Sequence, residues 1–244
     1  MEIDYRARLY ARYVQKRGCV LAPATPDGFR LRAPYLMRMV RRYFPPERSA
    51  RVLEIGCGHG ALLYFARRAG YTQLHGIDTS PEQVAAAVRL GIADVEQGDL
   101  LQALRRTPAN SCDVVVAFDV LEHFSKHELL EVVDEVHRVL TVGGRWIIHA
   151  PNGESPFVGS VRYGDFTHEL AFTRESMTQL LLGSAFAEVR CFEDTPVVHG
   201  VPSALRWVTW KGIRTLLRLY VAAETGDLGR ACIFSQNFLT VALK

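Results

Sequence analysis

The chain has 244 residues, 29 Lys plus Arg against 26 Asp plus Glu, a formal net charge of +3, and is 48% hydrophobic and 23% charged. A chain this long can bury a full core without metal or disulfide staples, and its proportions exclude the disordered and fibrous classes. No run approaches the roughly 18 consecutive apolar residues that a membrane-spanning helix needs. The five cysteines, at positions 19, 57, 112, 191 and 232, form no CxxC pair, which points away from a disulfide framework or zinc knuckle and toward a reducing compartment. The charged N-terminal stretch MEIDYRARLYARYVQKRG lacks the apolar core of a secretory signal, so cytoplasmic residence is the expectation. A slight positive excess does not argue for a nucleic-acid partner, which needs clustered Lys and Arg.

Pro23, Pro26 and Gly28 separate a short, basic N-terminal helix from the rest of the chain, and APYLMRMVRRYFPPE ends at Pro45-Pro46. The pattern then alternates. RVLEIG reads as a buried strand, ALLYFARRAG as a helix closing on Gly70, QLHGID as a second strand, and SPEQVAAAVRLG as a helix with Ser80 as its cap and Gly91 beyond its end. IADVEQGD supplies a third strand, CDVVVAFD a fourth, KHELLEVVDEVHRVL a helix and GGRWIIHAP a fifth strand. After a polar loop at 151 to 170, TRESMTQLLLGS forms a helix, FAEVRCF a sixth strand and FSQNFLTVALK a seventh. A long insertion, residues 194 to 231, carries the helix-like SALRWVTWKGIRTLLRLYVAA. Strands alternating with helices imply a mostly parallel sheet covered on both faces.

The strongest local signal is VLEIGCGHGALL, a buried strand running through glycines at 56, 58 and 60 into a helix. In a doubly wound sheet such a turn places ligand at the carboxyl ends of the strands, where glycine lets the backbone approach closely. A dinucleotide site would show GxGxxG; here the spacing is GxGxG, and Glu54 ends the strand. A carboxylate there is a poor neighbour for a pyrophosphate and a good one for an ammonium or sulfonium group. Asp78 ends the second strand, placed to accept ribose hydroxyls, and Asp99 comes just after the third. A nucleotide-dependent oxidoreductase, which would also use a glycine turn and Asp78, is disfavoured by the spacing and by Glu54.

The segments LEIGCGHG, GIDTSPEQV, EQGD, FDVLEHF and VGGRWIIHAPN resemble the class I S-adenosylmethionine-dependent methyltransferases over about residues 51 to 151. The resemblance implies an α/β, Rossmann-like, doubly wound sheet of seven strands, mostly parallel with an antiparallel last strand. To this the residues outside the resemblance add a helical N-terminal extension (1 to 48) and a helical insertion before the last strand, in one domain spanning 1 to 244 with its cofactor-binding core at 51 to 151. It implies S-adenosylmethionine as cofactor and S-adenosylhomocysteine as product, with Glu54, Gly56, Cys57, Gly58 and Gly60 at the methionine part, Asp78 and Thr79 at the ribose, Asp99 and Leu100 at the adenine and Phe118 flanking the methionyl end.

Methyl transfer from a sulfonium needs alignment, exclusion of water and, for a hydroxyl acceptor, a base. The candidates are His123 in DVLEHF, His149 at the end of the fifth strand, and Asp165, His168 and Glu169 in YGDFTHEL. His168 is the preferred base, with Asp165 expected to orient it and His123 as its alternative, while His149 in an apolar strand reads as a hydrogen-bonded packing residue. Asp165, His168 and Glu169 could gather a hard cation, but no matching carboxylates occur elsewhere, and no metal is expected.

Within the acceptor-loop and helical-lid regions (152 to 233), the segment FVGSVRYGDFTHELAFTRESMTQLLLGSAFAEVR resembles small-molecule methyltransferases, particularly bacterial enzymes that modify sugars and surface glycans. The expected reaction is O-methylation of a saccharide hydroxyl, with quinone, aromatic or other small-molecule acceptors as the alternative. In the insertion, Leu205, Val208, Ile213, Leu216 and Tyr220 fall at core-like spacing, with Arg206, Lys211, Arg214 and Arg218 on other faces. The segment reads as a lid over the site, or as a peripheral contact with an anionic membrane through 203 to 222. The N-terminal helix reads as a solvated basic face or as a flap bringing Tyr5, Tyr10 or Tyr13 over the cofactor.

Overall fold

A computed structural model describes residues 22–227, 229 and 231–244 together with Arg6 and Leu9. The flap expected of Tyr5, Tyr10 and Tyr13 lies outside the described residues, as does Cys19. Arg6 is described, and its guanidinium binds the Glu128 carboxylate at 2.8 Å.

Seven strands form one sheet: β1 Arg51–Ile55, β2 Gln73–Asp78, β3 Val95–Gln97, β4 Cys112–Phe118, β5 Leu140–Pro151, β6 Glu188–Glu193 and β7 Asn237–Leu243. Their order is β3-β2-β1-β4-β5-β7-β6, parallel from β3 through β5, with β7 antiparallel between β5 and β6. The doubly wound, seven-stranded arrangement expected from the sequence is therefore the one observed. The order reverses beside β1, where chain leaves β1 for β2 on one side and later returns to β4 on the other. Ligand sites of open α/β sheets form at such a point, beyond the carboxyl ends of the strands.

Alternation along the central strands fills both faces. Val114, Val116 and Ile147 pack on one side with Leu36, Met39, Leu62 and Phe65, while Val115, Ala117, Trp146 and Ile148 pack on the other with Val132, Val136, Met177 and Leu181. The covering helices are α1 Ala33–Tyr43, α2 Ala61–Arg68, α3 Pro81–Arg89, α4 Leu100–Arg106, α5 Lys126–Val139, α6 Val158–Arg162, α7 Arg174–Gly183 and α8 Val201–Thr225. Helix α1 buries Leu36, Met39, Val40 and Tyr43, the i, i+3, i+4, i+7 set of one helical face. Helix α5 starts on a capping box, in which Ser125 Oγ accepts from Glu128 N and Glu128 Oε2 accepts from Ser125 N.

Three local expectations change. Ser80 precedes α3 but makes no capping bond through its side chain; its own N–H is held by Asp78 Oδ1 at 2.8 Å. The third strand shrinks to Val95–Gln97, because Asp99 caps α4 through a 2.8 Å bond from Gln102 N and draws the residues after it into a helix that the strand pattern does not announce. Helix α8 also turns the other way. Leu205 and Leu216 are both 67% exposed, and Val208, Ile213 and Tyr220 are exposed with them, whereas Ser203, Trp210, Arg214, Leu217 and Val221 form the less exposed side. The insertion is tied to β6 where Arg214 pairs with Glu193, and within the insertion Ser203 Oγ accepts from His199 N at 2.8 Å.

The turn after β1 depends on backbone that L side chains adopt at a cost. Gly56, Gly58 and Gly60 have φ of 66, 56 and 74°. A Cβ on Gly56 would also lie 2.3 Å from Val120 Cγ2, whereas one on Gly91, at φ 73°, would meet nothing within 4 Å. Gly91→Ala is therefore expected to cost about 1 kcal/mol from the left-handed backbone alone, and Gly56→Ala roughly 2 to 4 kcal/mol from strain plus overpacking. Chemical denaturation checks this; equal losses would show that Val120 does not constrain the turn.

Candidate active site

The glycine turn is drawn onto the end of β2. Gly56 N and Cys57 N donate to the Ile77 carbonyl at 2.8 and 3.1 Å, Gly58 N donates to Asp78 Oδ2 at 2.7 Å, and Gly60 N donates to the Cys57 carbonyl at 3.0 Å. Four amides of the turn are thus satisfied within the protein. A pyrophosphate would need such amides as donors, so the turn is poorly equipped for a dinucleotide. Cys57 is buried, its Sγ and Cβ packed under Gly76, and burial pushes its thiol well above the usual range. Only its backbone belongs to the turn. His59 is also buried, stacked on Phe29 with ring centroids 5.7 Å apart and held by Gln83 at 3.1 Å.

Two carboxylates flank the turn. Asp78 takes one backbone N–H on each oxygen, from Gly58 and Ser80, which leaves further lone pairs for a ligand. Glu54 is 3% exposed, and its Oε2 is buried without a hydrogen-bond partner. Burial, with the Asp78 charge adding to it against Arg32, pushes the Glu54 carboxyl up to about 8. A buried acid of this kind is stabilised as a carboxylate by an arriving cation. Asp99 spends Oδ1 on α4, while Leu100 buries its side chain and presents its N–H in the first turn of that helix. Thr79 is half-buried between β2 and α3, and Phe118 stacks on His149 with centroids 5.1 Å apart.

Beyond β4 the structure assembles a group only partly visible in the sequence. Asp119 takes a left-handed φ of 55° and accepts a 2.6 Å bond from His149 Nδ1, and the other ring nitrogen lies 3.4 Å from Asp194. Burial alone would lower the His149 pKa, but the two carboxylates outweigh it and raise the value to about 10. His149 is therefore a protonated, buried strut, which bars it from acting as a base at neutral pH. Arg38 approaches Asp194 at 3.5 Å and donates to the Thr195 carbonyl at 3.0 Å, and Tyr35 meets the His149 ring edge-on.

Next along the chain is the three-residue turn Leu121–His123. Glu122 is 1% exposed with Oε2 unpartnered, and burial together with Asp119 pushes it up to about 8. His123 is pushed down to about 4 by burial and by His168, whose ring stands edge-on with centroids 4.7 Å apart. The loop expectation that Asp165 orients His168 is corrected. Asp165 Oδ1 accepts from Thr167 N at 3.0 Å and from Thr167 Oγ1 at 2.7 Å, and that hydroxyl lies 2.9 Å from His123 Nδ1. Asp165 thus orients His123 through Thr167, while His168 Nδ1 donates to the Val161 carbonyl at 3.0 Å. Glu169, the third member of the trio weighed as a cation site, points to Arg6 at 3.9 Å.

The sequence pattern singles out His123, Asp165 and His168, and the structure brings all three to one place. It misses Asp119, Glu122 and Asp194 as partners of the histidines. Asp119 and Glu122 stand in the segment FDVLEHF, three residues apart across a tight turn, and could be weighed with His123 on that ground; Asp194, 45 positions beyond His149, carries no local signal.

A domain family described as "Methyltransferase domain" matches residues 52–144. Among curated proteins, trans-aconitate 2-methyltransferase of Mycobacterium tuberculosis (strain ATCC 25177 / H37Ra) is 39% identical over 121 residues, 48% of this chain and 43% of that protein. The match thus spans under half of that relative's length. Trans-aconitate 2-methyltransferase of Pseudomonas paraeruginosa is 32% identical over 189 residues, covering 68% of this chain and 67% of that protein. A SAM-dependent methyltransferase structure from Archaeoglobus fulgidus superposes with a TM-score of 0.64 at 20% identity, over 99% of this chain and 100% of that one. Phosphoethanolamine N-methyltransferase 2 of Haemonchus contortus, solved with S-adenosyl-L-methionine, gives 0.61 at 16% identity over 100% of this chain and 60% of that one. The glycine turn flanked by Glu54 and Asp78, the sheet order with its antiparallel β7 and these matches agree, and the chain belongs to the S-adenosylmethionine-dependent methyltransferases.

Proposed function

We propose that the protein transfers a methyl group from S-adenosylmethionine to a hydroxyl oxygen of a small molecule, a saccharide or surface glycan in the first instance. The observation that carries this reading is the pairing of an acidic turn, Glu54 with Asp78, and an imidazole–carboxylate cluster, the buried Glu122 with the half-buried His123 and His168, beyond the next strand of the sheet. The turn fits the cofactor family. The unpartnered Glu54 oxygen suits its cationic methionine end, the remaining lone pairs of Asp78 its ribose, Asp99 and the Leu100 N–H its adenine, and Phe118 would flank the methionyl end. A Cβ on Gly58 would meet nothing nearer than Gln83 at 3.8 Å, which leaves the face of the turn open. When bound, the cofactor supplies a methyl group already activated on sulfur.

What the chain supplies is alignment, exclusion of water and a destination for the hydroxyl proton. Because a carbonyl can only accept, His168 Nδ1 carries the proton given to Val161, and Nε2 holds the lone pair. Nε2 lies 4.0 Å from Glu122, facing the cluster. His168 is the residue we assign to receive the acceptor proton.

A second reading, a carboxylate acceptor, is favoured by the name of the curated relatives, trans-aconitate 2-methyltransferase. Two points weigh against it here: a carboxylate needs no base, and a polyanion would meet Asp119, Asp165 and Asp194. Mass spectrometry of an acceptor panel containing sugars, phenols and polycarboxylates, incubated with S-adenosylmethionine, is expected to show a gain of one methyl on a hydroxyl compound; methylation of the polycarboxylates alone would reverse the choice. His168→Ala is expected to lower kcat by about 10² to 10⁴ with little change in cofactor affinity, and near-normal turnover would remove the role.

We assign the outward apolar face of α8 to an anionic membrane surface, as a lipid-linked acceptor would require. Leu205, Val208, Leu216 and Leu219 are exposed along it, with Arg206 and Lys211 beside them. Pelleting with anionic vesicles at low salt, lost in Leu205→Glu/Leu216→Glu, is the expected result; a wild-type chain that stays in the supernatant refutes the assignment.

A further inference from the structure

The turn Leu121–His123 and the loop after α6 are pinned together by backbone. Glu169 N and Leu170 N both donate to the Glu122 carbonyl, at 2.7 and 3.0 Å, and Arg162 holds the carbonyls of His168 and Glu169 from the other side. Glu122, His123 and His168 are thereby brought together with one donor atom of each within 4.8 Å of the others, and among the described residues this is the one such group of His, Cys and carboxylate side chains.

Hydrogen bonds behind the cluster set which nitrogens face into it. His168 gives its Nδ1 proton to the Val161 carbonyl, so Nε2 is the lone-pair nitrogen. Thr167 has a single hydroxyl proton; with that proton on Asp165 Oδ1 at 2.7 Å, its oxygen accepts from His123 Nδ1 at 2.9 Å, and Nε2 of His123 is again the lone-pair nitrogen. Metal-binding histidines are held in this way, the far N–H tied to a carbonyl or to a hydroxyl backed by a carboxylate. Between them stands Glu122, almost fully buried, with an oxygen that has no hydrogen-bond partner. Such an oxygen is costly to bury unless something satisfies it.

We propose that Glu122, His123 and His168 bind a divalent transition-metal cation. The set shares only His168 with the Asp165, His168 and Glu169 trio weighed from the sequence. Two imidazoles and one carboxylate suit Mn²⁺, Co²⁺ or Zn²⁺ better than Mg²⁺ or Ca²⁺, which prefer oxygen ligands throughout. At ligand lengths of about 2.0 to 2.2 Å the three atoms must draw together by roughly 1 Å, a side-chain adjustment. Three protein ligands leave open positions for water and for an oxygen of the acceptor, whose proton is then lost to solvent, since a cation-bound His168 Nε2 no longer serves as the base. That last role rests on the methyl-transfer reading; cation binding does not.

The untagged chain, stripped with EDTA, is titrated with Co²⁺ and followed by visible absorption and calorimetry. One Co²⁺ per chain, with absorption bands of nitrogen-bound cobalt and a raised Tm, is expected. Glu122→Gln, His123→Gln and His168→Gln should each weaken binding by more than 100-fold. Thr167→Val, which keeps all three ligands and removes only the group orienting His123, should weaken it about 10-fold and serves where a ligand variant does not fold. Failure of the wild-type chain to bind Co²⁺ or Zn²⁺ stoichiometrically, or binding unchanged in every folded variant, overturns the site. Cation binding without methyl transfer to any acceptor would overturn the methyl-transfer reading and leave the site standing. Full methyl transfer by a stripped chain that binds no cation would do the reverse, with His168 as base.

Discussion

One carboxylate ties the site together. Asp78 receives Gly58 N–H on one oxygen and Ser80 N–H on the other, so the same side chain locks the turn after β1 and the approach to α3. Without it the left-handed glycine turn would keep its two bonds to the Ile77 carbonyl but lose the contact that aligns its outer half with β2. Because Asp78 accepts backbone donors with both oxygens, its position is set before any ligand arrives, which is the condition for spending ligand contacts on affinity rather than on ordering.

Glu54 depends on that arrangement. It stands at the end of β1, walled in by the turn, and its lone oxygen has neither solvent nor a donor. A carboxyl so placed stays protonated near neutrality and ionises when a cation takes up the unmet valence. The other end of the site holds charge differently. His149 keeps its proton between Asp119 and Asp194, while Glu122 and His123 are held neutral in the same neighbourhood. Charge on the strut and neutrality on the cluster leave a place where a proton or a cation can be taken up without rearranging the sheet.

Much of this is legible in the chain. The buried strands, the GxGxG turn and the acids Glu54 and Asp78 beside it are local patterns, and they locate the sheet and its switch point. Asp99 reads as a ligand and serves first as a helix cap, two roles that one acid at a helix start can combine. The acceptor side is less readable because its partners are long-range: His149 with Asp194, and His123 with Thr167 and Asp165, meet only when the loop after β5 folds back on the turn after β4. Helix α8 misleads for another reason. Its apolar spacing is real, but spacing alone does not say which face meets the protein, and here the anchoring side is the one carrying Ser203, Trp210 and Arg214.

The central claim is that Glu54 and Asp78 form a site for a cationic nucleoside cofactor, and proton release on binding tests it most directly. Calorimetric titration of S-adenosylmethionine at pH 7, in buffers of different ionisation enthalpy, compares the wild-type chain with Glu54→Gln. Since the Glu54 carboxyl lies near 8 in the free protein, it is mostly protonated at pH 7 and must ionise to meet the cation. The wild-type chain is therefore expected to release nearly one proton more than Glu54→Gln, and its affinity to fall as pH drops below about 8. No binding of S-adenosylmethionine, or binding with the same proton release in both chains, would contradict the account.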